Sequence, residues 1–206
     1  MSAFDAASLR LVAITDDIRD GIPGLVERAR SAEEGGATMV QLRLKAVDAR
    51  TLVAAGAALV QALRVPVLVN DRVDVALVCG AAGAHLGFDD IPVAAARRIV
   101  PAGFVLGASV GADGEAANGR DADYVGIGPV YATASKRDAG AAIGTDELAR
   151  LIALCGRPAV GIGGIVPENA ASVIGAGAAG VAVIQGVFGR VNPATAAAAL
   201  RRATGR

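Results

Sequence analysis

Short apolar runs recur along the chain and alternate with stretches in which apolar residues fall at helical spacing. The runs cover residues 11–15, 38–44, 65–70, 83–86, 104–109, 124–128, 159–163 and 180–184. They are rich in Val, Ile, Leu and Ala, the pattern of strands buried on both faces. Between the first two, Ile22, Leu25, Val26 and Ala29 form one apolar stripe, with Pro23 near its start and Gly35-Gly36 at its end. A connector of helix end, then Gly, Ala or Asp, then strand returns as GGATMVQL, CGAAGAHL, GRDADYVG and GAGAAGVAV. One supersecondary unit repeated along the chain predicts βαβ units and a parallel sheet. Eight strands leave about 26 residues per unit, which suits a compact (βα)₈ or TIM barrel. An open doubly wound sheet is the competing arrangement. No linker, charge run or low-complexity tract divides the chain, so residues 1–206 are expected to form a single domain.

Composition narrows the picture. Aromatic residues make up only 3% against 53% hydrophobic, which fits packed parallel strands better than an aromatic-rich sandwich. Twenty Lys and Arg balance twenty Asp and Glu, so no global basic field points to nucleic acid, and phosphate affinity must come from a local cluster. Cys79 and Cys155 each lie in an apolar helix-like run, without the spacing of a disulfide framework or zinc site, and are expected to be buried thiols. The N-terminus shows no charged-then-apolar signal pattern, and no apolar run reaches the roughly 18 residues of a membrane span. The expected location is therefore the cytoplasm, away from membranes. Oligomeric state is left open, with a homo-oligomer compatible.

Alternation along the second run locates the chemistry. Gln41, Arg43 and Lys45 share one face and Val40, Leu42 and Leu44 the other. If the apolar face meets the helices, Gln41, Arg43 and Lys45 point into the barrel, where buried cations cost several kcal/mol unless paired or liganded. A structural ion pair is the alternative to a ligand. Other strand ends are also polar: Asn70-Asp71, Gly87 to Asp90, Ser109, Gly128 to Asp138, Gly161 to Ile165, and Ile184-Gln185-Gly186. Active sites of such barrels lie on that rim.

Each group suggests a role. Asp71 and Asp90 are candidate ligands for Mg²⁺, which takes one or two carboxylates and keeps other positions for water and phosphate. Asp89 is instead expected to cap the following helix. Arg43, Lys45 and Lys136 with Thr133 and Ser135 make a candidate phosphate clamp. Gly163-Gly164 and the end of the eighth strand suggest a second anion site built from backbone amides, although a Gly-Gly pair also suits a tight turn. His85, inside the fourth strand, reads as either a satisfied structural residue or a catalytic one. No Ser-His-Asp or Cys-His set can be assembled, which disfavours acyl transfer.

The segments VQLRLK, LVNDRVDVAL, GAHLGFDD, DYVGIGPVYATASKRD and VGIGGI, in this order, resemble the thiamine phosphate synthase family over nearly the whole chain. That family joins a hydroxymethylpyrimidine diphosphate to a thiazole phosphate and releases pyrophosphate, using Mg²⁺ in a (βα)₈ barrel. By position, the resemblance implies that Gln41, Arg43, Lys45, Asn70, Ser109, Thr133, Ser135 and Lys136 surround the pyrimidine diphosphate, with Arg43, Lys45 and Lys136 acting on the leaving group. It implies that Asp71 and Asp90 bind Mg²⁺, and that Gly164, Ile184 and Gln185 hold the thiazole phosphate. Departures are Phe88, where the family has Gln, and Gln185, where it has a small residue such as Ser. Ser135 replaces a usual Thr, and the first strand matches loosely. A related tautomerase branch carries His in place of Pro129, so Pro129 and the full Arg/Lys/Asp set favour the synthase. The alternatives are that tautomerase, another phosphate-handling barrel enzyme such as a Schiff-base aldolase using Lys45 or Lys136, and a non-catalytic phosphate-binding barrel.

Overall fold

The computed structural model describes residues 4–133 and 140–205. Among them lie eight strands, β1 (Leu11–Ile14), β2 (Met39–Leu42), β3 (Val67–Asn70), β4 (Gly83–Leu86), β5 (Val105–Val110), β6 (Tyr124–Ile127), β7 (Ala159–Ile162) and β8 (Gly180–Val183). Each pairs in parallel with the next, and β8 returns to β1 with Leu11 opposite Val181, closing a barrel. That last pairing excludes the open doubly wound sheet. The strand positions agree with the apolar runs, mostly trimmed at the ends. The run 38–44 shortens to β2 because Arg43 and Leu44 leave the ladder toward the rim.

The helices are α1 (Gly21–Glu34), α2 (Ala49–Ala62), α3 (Val73–Val78), α4 (Val93–Ala96), α5 (Ala116–Arg120), α6 (Gly144–Cys155), α7 (Pro167–Gly175) and α8 (Pro193–Ala203). Leu25 and Ala29 of the predicted stripe are fully buried, while Ile22 and Val26 pack at its edge. Local chemistry starts two of the longer helices. Asp48 accepts the Thr51 amide at 2.9 Å ahead of α2, and Asn192 accepts the Thr195 amide at 2.9 Å ahead of α8, with Pro193 in its first turn. The expected Asp89 cap does not form. Pro92 is the residue before α4, and the Val93 amide donates instead to Asn118 from α5 at 2.9 Å. Cys79 and Cys155 are free and buried, and burial raises both thiol pKa values. Among the described residues no helix is long and apolar enough to cross a membrane.

The core has two layers, divided by strand alternation. Leu42, Leu44, Val67, Val69, Ala84, Leu86, Leu106 and Ala108 face the helices. Val12, Ile14, Met39, Leu68, Tyr124, Val160 and Ala182 fill the barrel interior. Gln41 is inside with them, 3% exposed, as the alternation requires. Bulk is balanced by glycine. Gly107 lies opposite both His85 and Tyr124 in the ladder, and a Cβ there would run into the Tyr124 ring and come within 2.6 Å of His85 Nδ1. Gly107→Ala should therefore overpack the interior and cost about 1–3 kcal/mol. Urea unfolding checks this, and an unchanged midpoint would mean that the Tyr124 ring has room to move.

Candidate active site

A cleft of about 910 Å³ opens at the C-terminal ends of the strands. Arg43, Lys45, Asn70, Asp71, Asp90, Ser109, Thr133, Gly164, Ile184 and Gln185 all line it. Gln41 lies one layer deeper, in a narrow interior space shared with Arg43, Asn70 and Ser109. Ser135 and Lys136 lie outside the described residues. The same alternation that buries Leu42 and Leu44 against the helices turns Arg43 toward the axis.

The carboxylate side is built by two turns. Asp71 follows β3 with φ +65°, and among the described residues no other non-glycine has a positive φ. Asp tolerates this left-handed conformation better than most residues, and the turn is held by the Asp71 amide donating to the His85 carbonyl at 2.8 Å. From β4, the Gly87–Asp90 turn folds back so that the Gly87 amide donates to Asp90 Oδ2 at 2.6 Å. The Asp71 and Asp90 carboxyls lie close enough to share a hydrogen bond when one of them is protonated. Burial, then that hydrogen bond and the charge of Asp90, push the Asp71 carboxyl up to about 6, against the opposing pull of Lys45 and Arg43. Two carboxylates that close are the groups here that could hold a cation, with Lys45 and Arg43 beside them. Among the described residues no cluster of three or more His, Cys, Asp or Glu exists to enclose an ion. A bound cation would complete its shell with water and ligand oxygens, a donor set that suits Mg²⁺.

The opposite side of the cleft is built mainly from backbone, with Arg190 adding a charged side chain. Gly163 and Gly164, after β7, have φ of +97° and +63°. A Cβ at Gly163 would lie 2.6 Å from Pro129 Cβ, and one at Gly164 would lie 2.6 Å from the Ala132 carbonyl oxygen, so both glycines are needed for this turn as well as for its φ values. Asn169 fixes it further: its Nδ2 donates to the Gly164 carbonyl at 3.0 Å while its Oδ1 accepts the Val166 amide at 2.9 Å. The segment after β6 is stitched alongside, with the Val130 amide donating to the Ile162 carbonyl at 2.8 Å and the Tyr131 amide to the Gly163 carbonyl at 3.1 Å. These bonds bring Thr133 to the rim between the two sides. The cleft thus has a pole of ionisable side chains at β2–β4 and a glycine-turn pole at β7–β8, to which the β8–α8 loop adds Arg190.

Comparison with known proteins settles the kinship. Residues 11–187 match the family described as thiamine monophosphate synthase. The chain belongs to that family. It is 44% identical over 200 residues to the thiamine-phosphate synthase of Moorella thermoacetica, covering 95% of each chain. It is 47% identical over 192 residues to that of Roseiflexus sp., covering 91% of this chain and 81% of the relative. In three dimensions it superposes on a thiamine phosphate pyrophosphorylase from Pyrococcus furiosus with a TM-score of 0.85 and 37% identity, over 97% of this chain and 96% of that one.

Within this family frame the two sequence departures have definite places. Phe88 stands 57% exposed on the cleft rim beside Asp89. Gln185 does not extend across the cleft. Its carboxamide folds back over Gly189, where a side chain would strike it. Two residues were missed from sequence. Arg190 lines the cleft from the β8–α8 loop, in no motif that marks it. Tyr124 sits inside the barrel under Ser109, its partners set by strand register alone.

Asp71 generates a pH prediction in the absence of metal. Its folded pKa of about 6 exceeds the unfolded carboxylate value of about 3.9, so the folded state holds the extra proton between those values and stability falls as pH rises through them. At the half-buried rim, screening keeps the loss to about 1 kcal/mol. Asp90→Asn should flatten this part of the profile. Urea titrations in EDTA between pH 4 and 8 read the difference, and identical profiles for the two proteins would separate Asp90 from Asp71.

Proposed function

We propose that the chain joins hydroxymethylpyrimidine diphosphate to hydroxyethylthiazole phosphate, giving thiamine phosphate and pyrophosphate. The observation that carries the reading is the two-poled cleft: a carboxylate pair flanked by Arg43 and Lys45 faces the glycine turns of β7–β8 across one cavity. Such a cavity suits two phosphorylated substrates held end to end.

In this reading the pyrimidine ring lies over Gln41, Asn70 and Ser109, and its diphosphate reaches Arg43, Lys45 and Thr133, with Ser135 and Lys136 assigned there by sequence resemblance. Asp71 and Asp90 would hold Mg²⁺, which would neutralise charge on the diphosphate. The thiazole phosphate rests on the backbone amides around Gly164, Ile184 and Gln185. The bond from the pyrimidine methylene carbon to the diphosphate oxygen breaks with its electron pair leaving on pyrophosphate, and the thiazole nitrogen lone pair forms the new C–N bond. That nitrogen carries no proton, so the product is a thiazolium and no general base is required. The cations and carboxylates of the cleft then serve charge balance, and none is assigned a proton transfer. Arg43, Lys45 and Lys136 stabilise the departing charge, and the fixed turns align the acceptor.

A tautomerase or aldolase would need a proton-transfer residue or an amine facing the substrate carbon. The opposition of an ionisable pole and a glycine-turn pole favours the synthase over both. Incubation with the two precursors and Mg²⁺, followed by mass detection of thiamine phosphate, is the direct test. Asp90→Asn should lower pyrophosphate release by ~10²-fold while leaving a folded protein. Binding of both precursors without product would instead mark a non-catalytic barrel.

The folded-back Gln185 generates a second expectation. Because backbone amides supply the anion contacts, Gln185→Ser should change the thiazole-phosphate KM by no more than roughly tenfold. Inactive wild type together with an active Gln185→Ser variant would identify Gln185 as a block and overturn the synthase reading.

A further inference from the structure

The reaction scheme leaves unused the two buried polar groups behind Ser109, namely His85 and Tyr124. His85, the chain's one histidine, has Nδ1 2.9 Å from the Tyr124 hydroxyl and Nε2 3.1 Å from Ser109 Oγ. Tyr124 is 1% exposed at the start of β6, whereas Ser109 lines the cleft. The three side chains run from the barrel interior up to the ligand cavity. Glycines make the space. Gly107 admits both rings, and a Cβ at Gly126 would stand 3.1 Å from His85 Cε1.

The direction of the protons along this line follows from the ends. A neutral imidazole donates from one nitrogen and accepts at the other. Burial raises the Tyr124 phenol well above its usual range, so it keeps its proton. Among the described residues, the hydrogen-bond partner of that hydroxyl is His85 Nδ1. Donation from Tyr124 makes Nδ1 the acceptor and puts the imidazole proton on Nε2. Nε2–H then donates to Ser109 Oγ, and the Ser109 proton is left to point into the cleft.

We propose that Tyr124 and His85 are positioning residues that fix Ser109 as a hydrogen-bond donor toward the cleft, so that the site selects a heterocycle presenting an acceptor nitrogen there. The reverse order, with the proton on Nδ1, would leave the Tyr124 proton in need of another acceptor. The narrow space beside these groups holds about 20 Å³, room for one water, and a water taking that proton is the arrangement against which the proposal is tested. The inference rests on the reading of the cleft as a heterocycle site, but its first test needs no turnover.

With a single histidine, ¹⁵N-histidine labelling reports the tautomer of His85 without assignment. The expected spectrum shows a protonated Nε2 and an acceptor-type Nδ1 at neutral pH. Ser109→Ala should leave that tautomer in place, because Tyr124 sets it. Tyr124→Phe should populate the Nδ1–H form and raise the KM for the pyrimidine diphosphate by about tenfold, with the thiazole-phosphate KM unchanged, since one oriented hydrogen bond is loosened. A wild-type Nδ1–H form or an imidazolium overturns the proposal, as does a tautomer unmoved by Tyr124→Phe. Should Tyr124→Phe not fold, the Ser109→Ala spectrum still decides, because a switch to Nδ1–H there would show that Ser109 sets the order. An Nε2–H tautomer in a protein that makes no thiamine phosphate would overturn the synthase reading and leave the relay intact.

Discussion

Closure of the parallel barrel is the constraint on which the other features depend. Once β8 pairs with β1, every second side chain of every strand must face a narrow interior, and each position along a strand acquires a fixed height above the barrel floor. The apolar majority of those positions, Val12, Ile14, Met39, Leu68, Val160 and Ala182, fill the interior. The polar minority, Gln41, Asn70, His85 and Ser109, gather in one narrow space of it, from which Asn70 and Ser109 open onto the cleft. The catalytic surface is thus a continuation of the core, held by the same backbone ladder.

That continuity explains how the cleft separates its two chemistries. Charged side chains converge at β2–β4, where Arg43, Lys45, Asp71 and Asp90 meet, whereas at β7–β8 glycines bring the backbone close to the cleft and Arg190 is the charged side chain beside them. A dissociating diphosphate needs concentrated countercharge, whereas a phosphate that only anchors a substrate needs shape and a few amides. The strain of the left-handed Asp71 and the tight Gly163-Gly164 turn sit at these two places and are held by the hydrogen bonds from Asp71 to His85 and from Asn169 to Gly164.

Interior packing and polarity are linked in the same way. Gly107 is absent as a side chain so that Tyr124 and His85 can meet, and their meeting carries the orientation of a buried hydroxyl to the cleft. A change that restores bulk at Gly107 therefore acts on stability and on the site at once.

The sequence by itself determined the strand and helix count, the barrel, the inward face of β2 and the polar character of the rim, because alternation with a period of two and the helical period are local properties that any stretch of chain displays. It also displayed the family motifs that carry Asp71, Asp90 and the glycine turn. What only the tertiary structure decided were relations between strands. The approach of Asp71 to Asp90, the position of Gln41 below the cleft, the arrival of Arg190 at the cavity and the Tyr124–His85–Ser109 line all depend on how different units of the repeat meet, and the retreat of Gln185 over Gly189 depends on the loop that follows β8. The Asp89 cap failed for the same reason: an acceptor from a neighbouring helix, Asn118 Oδ1, took the Val93 amide that local chemistry had assigned to Asp89. Local periodicity specifies which face a residue occupies, but the height and neighbour it meets there depend on register and closure, which no single segment contains.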